Sequence, residues 1–311
     1  MIPGSAKPKA VFLDALSLGP IDLSPLEEQA DLTCWPSTQR EERLERLAGA
    51  AIAITNKIPL DGALLRQLPQ LRLICTASTG TDQVDQAACR ELGITLHNAG
   101  RYSKASVVQV TWALILELVC NLQKRRQQVA DGSWQRSPVF ALVEPEFDEL
   151  AGRRLSVIGA GDIGSGVARI GEAFGMTVDP ITSRSSPADL EAALRSADVV
   201  SLHAPLTPST QGLINRERLG WLQPSALLVN MGRGGLVDTQ ALVEALGSGR
   251  LAGAALDVLP IEPPGAELDP LKSIPNLILT PHIAWSSRQA RLRLVATLAG
   301  HLRDYREASS R

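Results

Sequence analysis

Four cysteines are all that 311 residues contain, and no two of them are spaced as CxxC. Cys34, Cys75, Cys89 and Cys120 thus suggest neither a disulfide framework nor a metal cluster; they read as core thiols. The chain also lacks an excess of either charge: 31 Lys and Arg against 33 Asp and Glu leave −2, with no broad footprint for nucleic acid or an anionic membrane. No run reaches the roughly 18 apolar residues of a membrane span. Residues 1 to 15 lack an arginine-led apolar leader with a small-residue cleavage site. Internal repeats and low-complexity tracts are missing too. These absences favour a cytoplasmic globular enzyme with no metal and no nucleic-acid or membrane partner. The length exceeds the roughly 250–300 residues at which single cores stop growing, which favours two domains.

What is present is alternation. Short apolar, β-branched runs alternate with helical patterns, as in parallel sheets built from βαβ units. Candidate strands in the first third are residues 10–14, 50–55, 71–77 and 94–99. A helical pattern covers roughly 103–132, apolar at its centre and basic near its end, with Gly132 as a stop. The Pro-containing stretch 137–150 reads as an irregular connection into six further strands at 154–160, 176–181, 198–203, 226–231, 253–259 and 277–282. Six strands with five crossovers make a doubly wound dinucleotide domain. The last segment, SSRQARLRLVATLAGHLRDYREASS, reads as one amphipathic helix returning to the first domain. The expected fold is α/β: a flavodoxin-like domain, residues 1–102 plus 284–311, and a Rossmann domain, residues 103–283, with a cleft between them.

The stretch VIGAGDIGSG places Gly159, Gly161 and Gly164 in G-x-G-x-x-G between a strand and a helix. That context points to a pyrophosphate held by N–H groups at a helix start: Gly161 lets it approach, and Gly164 lets helix and strand pack. The acid that grips adenosine ribose hydroxyls is harder to find. Asp179 lies 20 residues after Gly159, close to the usual spacing. Yet a strand starting at Met176 ends at 181–183, where Thr182, Ser183 and Arg184 stand instead. Hydroxyls followed by a guanidinium suit a ribose 2′-phosphate. NADP(H) is the favoured cofactor and NAD(H), through Asp179, the other.

Ligands in open α/β sheets bind beyond the carboxyl ends of the strands. Those ends carry Gly159, Thr182, His203, Arg233, Asp257 and His282, with Glu262 just past Asp257. Arg233 is flanked by Gly232, Gly234 and Gly235, which allow a sharp turn that projects its guanidinium. Glu262, in LPIEPPG, could hydrogen-bond the ring of His282, fix its tautomer and favour its charged form, making a general acid. His203 reads as part of the cofactor rim; His97 and His301 receive no role. Asn56 and Lys57 follow a strand of the first domain and face either the substrate or solvent.

These residues, in this order, resemble the D-2-hydroxyacid dehydrogenase family over almost the whole chain. SLHAPLT, LVNMGRGGLVD, LAGAALDV and TPHIAW are similar to signature segments of its cofactor domain. AITNKIPL, STGTDQVD, GRYSKASVVQVTWALILEL and AWSSRQAR are similar to its glycerate dehydrogenase and hydroxypyruvate reductase branch. The resemblance implies Arg233 for the substrate carboxylate and carbonyl, and Glu262 with His282 as the coupled proton donor. Substrate contacts are expected from the N–H groups of Thr79 and Gly80, from Asn56, and from Arg233 and His282. Cofactor contacts are expected at Gly159, Gly161, Asp162, Ile163, Gly164, Thr182, Ser183, Arg184, Ser185, His203, Ala204, Pro205, Thr210, Met231, Gly232, Arg233, Asp257 and His282. The TSRS run resembles the phosphate-binding loop of NADPH-preferring glyoxylate and hydroxypyruvate reductases. Arg101, Val108 and Val110 depart from that branch and put the size of the substrate in question. The expected reaction is NADPH-dependent reduction of a small 2-keto acid to the D-2-hydroxy acid, in a homodimer joined through the 103–132 region. The alternatives are an NADH-preferring glycerate dehydrogenase, a 2-ketogluconate-type reductase, phosphite oxidation on a related scaffold, and a non-catalytic NAD(P)-sensing co-repressor.

Overall fold

The structure, a computed structural model, describes residues 7–309; the leader reading for residues 1 to 6 and the ends of the expected first domain lie outside them. The chain divides into two compact units, 1–103 with 286–311 and 104–285. Each carries one parallel sheet.

The first unit holds β1 (Lys9–Phe12), β2 (Asp31–Cys34), β3 (Ile52–Thr55), β4 (Leu73–Thr76) and β5 (Thr95–Asn98), in the order β2-β1-β3-β4-β5. That order is the flavodoxin-like one. β3 and β4 are buried along their whole length, as strands covered on both faces must be. β2 is a fifth strand that the apolar pattern does not reveal, because DLTC lies at an edge and is mostly exposed. It also puts Cys34 at the surface, unlike the buried Cys75 and Cys89, so not all the thiols are core thiols. The C-terminal helix Arg288–Ser309 belongs to this unit and buries Leu294, Val295, Leu298 and Leu302. At the end of β1, the buried Asp14 accepts hydrogen bonds from Asn56 N–H at 2.8 Å and Lys57 N–H at 2.7 Å. Burial raises its pKa, and those N–H groups oppose the rise.

The second unit holds β6 (Arg154–Ile158), β7 (Thr177–Ile181), β8 (Val199–Leu202), β9 (Leu227–Asn230), β10 (Gly253–Leu256) and β11 (Leu277–Leu279). Their order, β11-β10-β9-β8-β6-β7, reverses between β6 and β8, which makes that gap the switch point where such sheets bind ligands. The helical pattern read over 103–132 is two helices, Lys104–Cys120 and Leu122–Ala130, bent by 59°. The break falls at Asn121, which is left-handed with φ +52°, while Glu117 Oε1 accepts from the N–H of Gln123 at 2.9 Å. Asn is a residue type that ends helices in this conformation, but the helical pattern runs on past it and hides the break. The first helix packs Val107, Trp112 and Ile115 against Leu155, Val157 and Ala255 of the sheet. Among the described residues no single helix is long and apolar enough to cross a membrane. The irregular segment that follows is tied by Arg125. Its guanidinium donates to the carbonyls of Leu142 (3.2 Å), Val143 (3.2 Å), Glu144 (2.6 Å) and Pro145, giving partners to backbone acceptors that no ladder pairs.

Candidate active site

The glycine turn follows from close approaches. Gly159 has φ +89°, and a Cβ there would lie 2.4 Å from the Ala204 nitrogen and 2.6 Å from the His203 carbonyl carbon. Only glycine lets the end of β6 sit so close to the chain leaving β8. A Cβ on Gly164 would fall 2.4 Å from the Gly159 carbonyl oxygen, so the helix Asp162–Ala173 seats directly on the turn. Gly161 differs: among the described residues nothing lies within 4 Å of where its Cβ would be. That helix also has no side-chain cap, whereas Ser186, Asn215 and Asp238 cap other helices of this unit. Open space above uncapped N–H groups is what a dinucleotide diphosphate requires, and the turn fits one.

Beside it lies the tip of β7. Gly159 and Ala160 donate to the carbonyl of Ile181 at 2.8 and 3.1 Å, which brings the Thr182–Ser185 turn next to the glycine turn. Thr182 N–H donates to Ser185 Oγ at 3.1 Å and Arg184 N–H to Thr182 Oγ1 at 3.2 Å, while Ser183 and Arg184 are exposed. Asp179 sits further back, within β7 and paired with Ser156 of β6. Its two carboxylate oxygens accept from Arg154 at 2.9–3.2 Å.

On the other flank, His203 Nε2 shares a 2.8 Å hydrogen bond with Ser201 Oγ, and burial pushes the ring's pKa down to about 4, so it is neutral. Thr210 Oγ1 donates to the Pro205 carbonyl at 2.7 Å and shapes the loop after Ala204; Met231 is buried.

Beyond the ends of β9, β10 and β11 stand Arg233, Glu262 and His282. Arg233 follows β9 in an extended conformation, and Asn230 Nδ2 donates to its carbonyl at 2.9 Å. A Cβ on Gly234 would lie 1.9 Å from the Leu259 carbonyl carbon; its absence lets the irregular chain after β10 pack against the residue next to Arg233. In that loop Glu262 Oε1 accepts from Leu259 N–H at 2.8 Å, and Glu262 Oε2 meets His282 Nδ1 at 2.5 Å. A carboxylate can only accept, so Nδ1 donates and Nε2 is the nitrogen left to exchange a proton. His282 adopts φ +52°, an uncommon conformation for its residue type. Asp257, 2% exposed, accepts from the N–H groups of Ile283 and Ala284 at 2.9 and 3.0 Å and from Thr280 Oγ1 at 2.6 Å. Asp257 thus serves as an anchor of the His282 turn, a role the sequence reading did not assign.

In the first unit, Thr79 and Gly80 follow β4. Thr79 Oγ1 donates to the Gly100 carbonyl at 2.8 Å, Asn98 Nδ2 to the Thr79 carbonyl at 2.8 Å, and Ser78 Oγ to the Gly80 carbonyl at 2.7 Å. Asn56 is buried, and its side-chain amide donates to Ser17 Oγ at 3.0 Å. Val108 is buried inside the second unit, against Gly166. Sequence reasoning missed Lys104, whose ammonium lies 2.8 Å from Asp162 at the start of the turn helix.

A six-stranded parallel sheet with an open glycine turn at its switch point, and a Glu–His pair beyond neighbouring strands, is the layout of a nicotinamide-dinucleotide-dependent dehydrogenase. Residues 112–284 match the D-isomer specific 2-hydroxyacid dehydrogenase NAD-binding domain, and the chain belongs to that family. It is 39% identical over 306 residues to the glycerate dehydrogenase of Methylorubrum extorquens, covering 96% of this chain and 95% of the relative. Against the hydroxypyruvate reductase of Blautia hydrogenotrophica the identity is 33%, over 97% of this chain and 98% of the relative. A solved structure, D-lactate dehydrogenase from Aquifex aeolicus complexed with NAD and lactic acid, superposes with a TM-score of 0.85 at 27% identity, over 96% of each chain. The protein is an NAD(P)-dependent oxidoreductase of the 2-hydroxyacid dehydrogenase class.

Proposed function

We propose that the protein reduces a small 2-keto acid of the hydroxypyruvate or glyoxylate type to the D-2-hydroxy acid, with NADPH as the preferred cofactor. The observation that carries the chemistry is the 2.5 Å contact between His282 Nδ1 and Glu262 Oε2. A bound nicotinamide would supply hydride to the carbonyl carbon. Protonated His282 gives its Nε2 proton to the carbonyl oxygen, and Glu262 stabilises the ring's charge until the transfer. Arg233 offsets the negative charge that grows on that oxygen, an effect whose loss in comparable sites costs on the order of 10²–10³ in rate. Backbone N–H groups of Thr79 and Gly80 receive the substrate carboxylate in this reading.

Two observations support NADPH. The tip of β7 presents Thr182, Ser183 and Arg184 without a carboxylate, and Asp179 is engaged by Arg154 inside the sheet. A homodimer fits the exposed apolar side chains Val129, Trp134, Phe140, Val143 and Phe147, which cluster on the second helix and the segment after it. Steady-state rates for a panel of 2-keto acids, with NADPH and NADH separately, test the proposal. Highest kcat/KM for hydroxypyruvate or glyoxylate with NADPH is expected, and no turnover of either would overturn it.

A further inference from the structure

We propose that Lys104 is a cofactor-positioning residue whose ammonium neutralises the Asp162 carboxylate at the point where the dinucleotide diphosphate must dock. The proposal rests on the dinucleotide-binding reading of the glycine turn.

Asp162 is the first residue of the helix that follows Gly161, and its carboxylate competes with any incoming phosphate for the positive end of that helix. Left alone, this charge would repel the diphosphate. Lys104 comes from 58 residues earlier and lies at 2.8 Å, with both side chains largely shielded, at 34% and 28% exposure. Such a pair is stronger than a freely solvated one. The helix crossing that delivers it is set by another glycine. A Cβ on Gly166 would lie 2.8 Å from Val108 Cγ2 and 3.5 Å from Lys104 Cε. The Lys104–Cys120 helix therefore crosses over the bare Gly166, the lysine stem runs along that face, and the ammonium emerges at Asp162. When the diphosphate arrives, the same cation faces two anions rather than one, so Lys104 contributes to affinity as well as cancelling repulsion.

The diphosphate is common to NADH and NADPH, so the effect must fall on both, unlike one acting through the 2′-phosphate. Fluorescence titration of the purified full-length chain with each cofactor tests this. Lys104→Met should raise both Kd values by on the order of tenfold. Asp162→Asn alone should lower both, and the Lys104→Met/Asp162→Asn double variant should return to within about threefold of the parent. Unchanged Kd values in Lys104→Met, a loss confined to one cofactor, or a double variant as weak as Lys104→Met would overturn the proposal. Failure of the unsubstituted protein to bind either dinucleotide would overturn the underlying reading as well.

Discussion

Asp257 and His282 are joined through the backbone: the Asp257 carbonyl accepts the N–H of His282 at 2.9 Å, while the Asp257 carboxylate holds the two N–H groups that follow. His282 is thereby kept at φ +52° with its ring against Glu262. Replacing Asp257 with Ala would leave the buried Ala284 N–H unpaired, at about 1–3 kcal/mol, and release the part-buried Ile283 N–H and Thr280 hydroxyl. Asp257→Ala should lower the melting temperature by several degrees and reduce kcat at least tenfold. A stable variant with normal kcat would remove Asp257 from its anchoring role.

His282→Ala is expected to cut ketone reduction by on the order of 10²–10⁴ while NADPH still binds, because the ring supplies a proton rather than a grip. Loss of NADPH affinity in proportion to the rate would contradict the assignment. Glu262→Gln keeps the shape but not the charge, and kcat should fall by on the order of tenfold with KM for NADPH unchanged.

The proposed NADPH preference places its discrimination at the tip of β7. Arg184→Ala should weaken NADPH binding by about 1.5–3 kcal/mol, the range for hydrogen bonds to charged groups, with NADH hardly affected. Thr182→Asp should reduce or invert the preference by repelling the 2′-phosphate. Asp179→Asn breaks the pair with Arg154 and should leave the preference as it was. A selective loss of NADH binding in Asp179→Asn would instead make Asp179 the ribose ligand.

Acid sensitivity follows from His203. Burial takes its pKa from an ordinary 6.5 to about 4 in the folded chain, so unfolding gains a proton in that window. Its contribution to stability is complete above about pH 6.5 and is lost as pH falls toward 4. His97 is shifted in the same direction, by burial and then by the stacked ring of His301, 4.6 Å away. Melting temperature measured from pH 7.5 to 5 should fall less steeply in His203→Gln than in the parent. Parallel curves would show that another group controls the acid limb.

The strands that form the two sheets are legible because central parallel strands must be apolar on both faces, as in IAIT and LLVN. DLTC escapes the same reasoning because an edge strand need not be. The bend at Asn121 escapes because helix formers stand on both sides and only tertiary structure calls for a left-handed residue there. The glycine turn of Gly159, Gly161 and Gly164 was readable from spacing, and the contact between Glu262 and His282 from family likeness and position at strand ends. Lys104 and the clamping role of Asp257 were not. Each depends on a partner more than twenty residues away and on a helix crossing or a turn that no local pattern encodes.

The helix at Asp162 has no side-chain cap, and in the proposed reading a bound dinucleotide would supply one. Its N-cap is Gly161, and a glycine there forgoes only a few tenths of a kcal/mol relative to a capping side chain. Ligand at a hundred times its Kd returns about 2.7 kcal/mol to the folded state. On that reading the lifetime of the polypeptide would follow nucleotide supply, a bound dinucleotide making local opening rarer. Limited proteolysis with and without cofactor should show this as slower cleavage in its presence, and equal rates would uncouple turnover from occupancy.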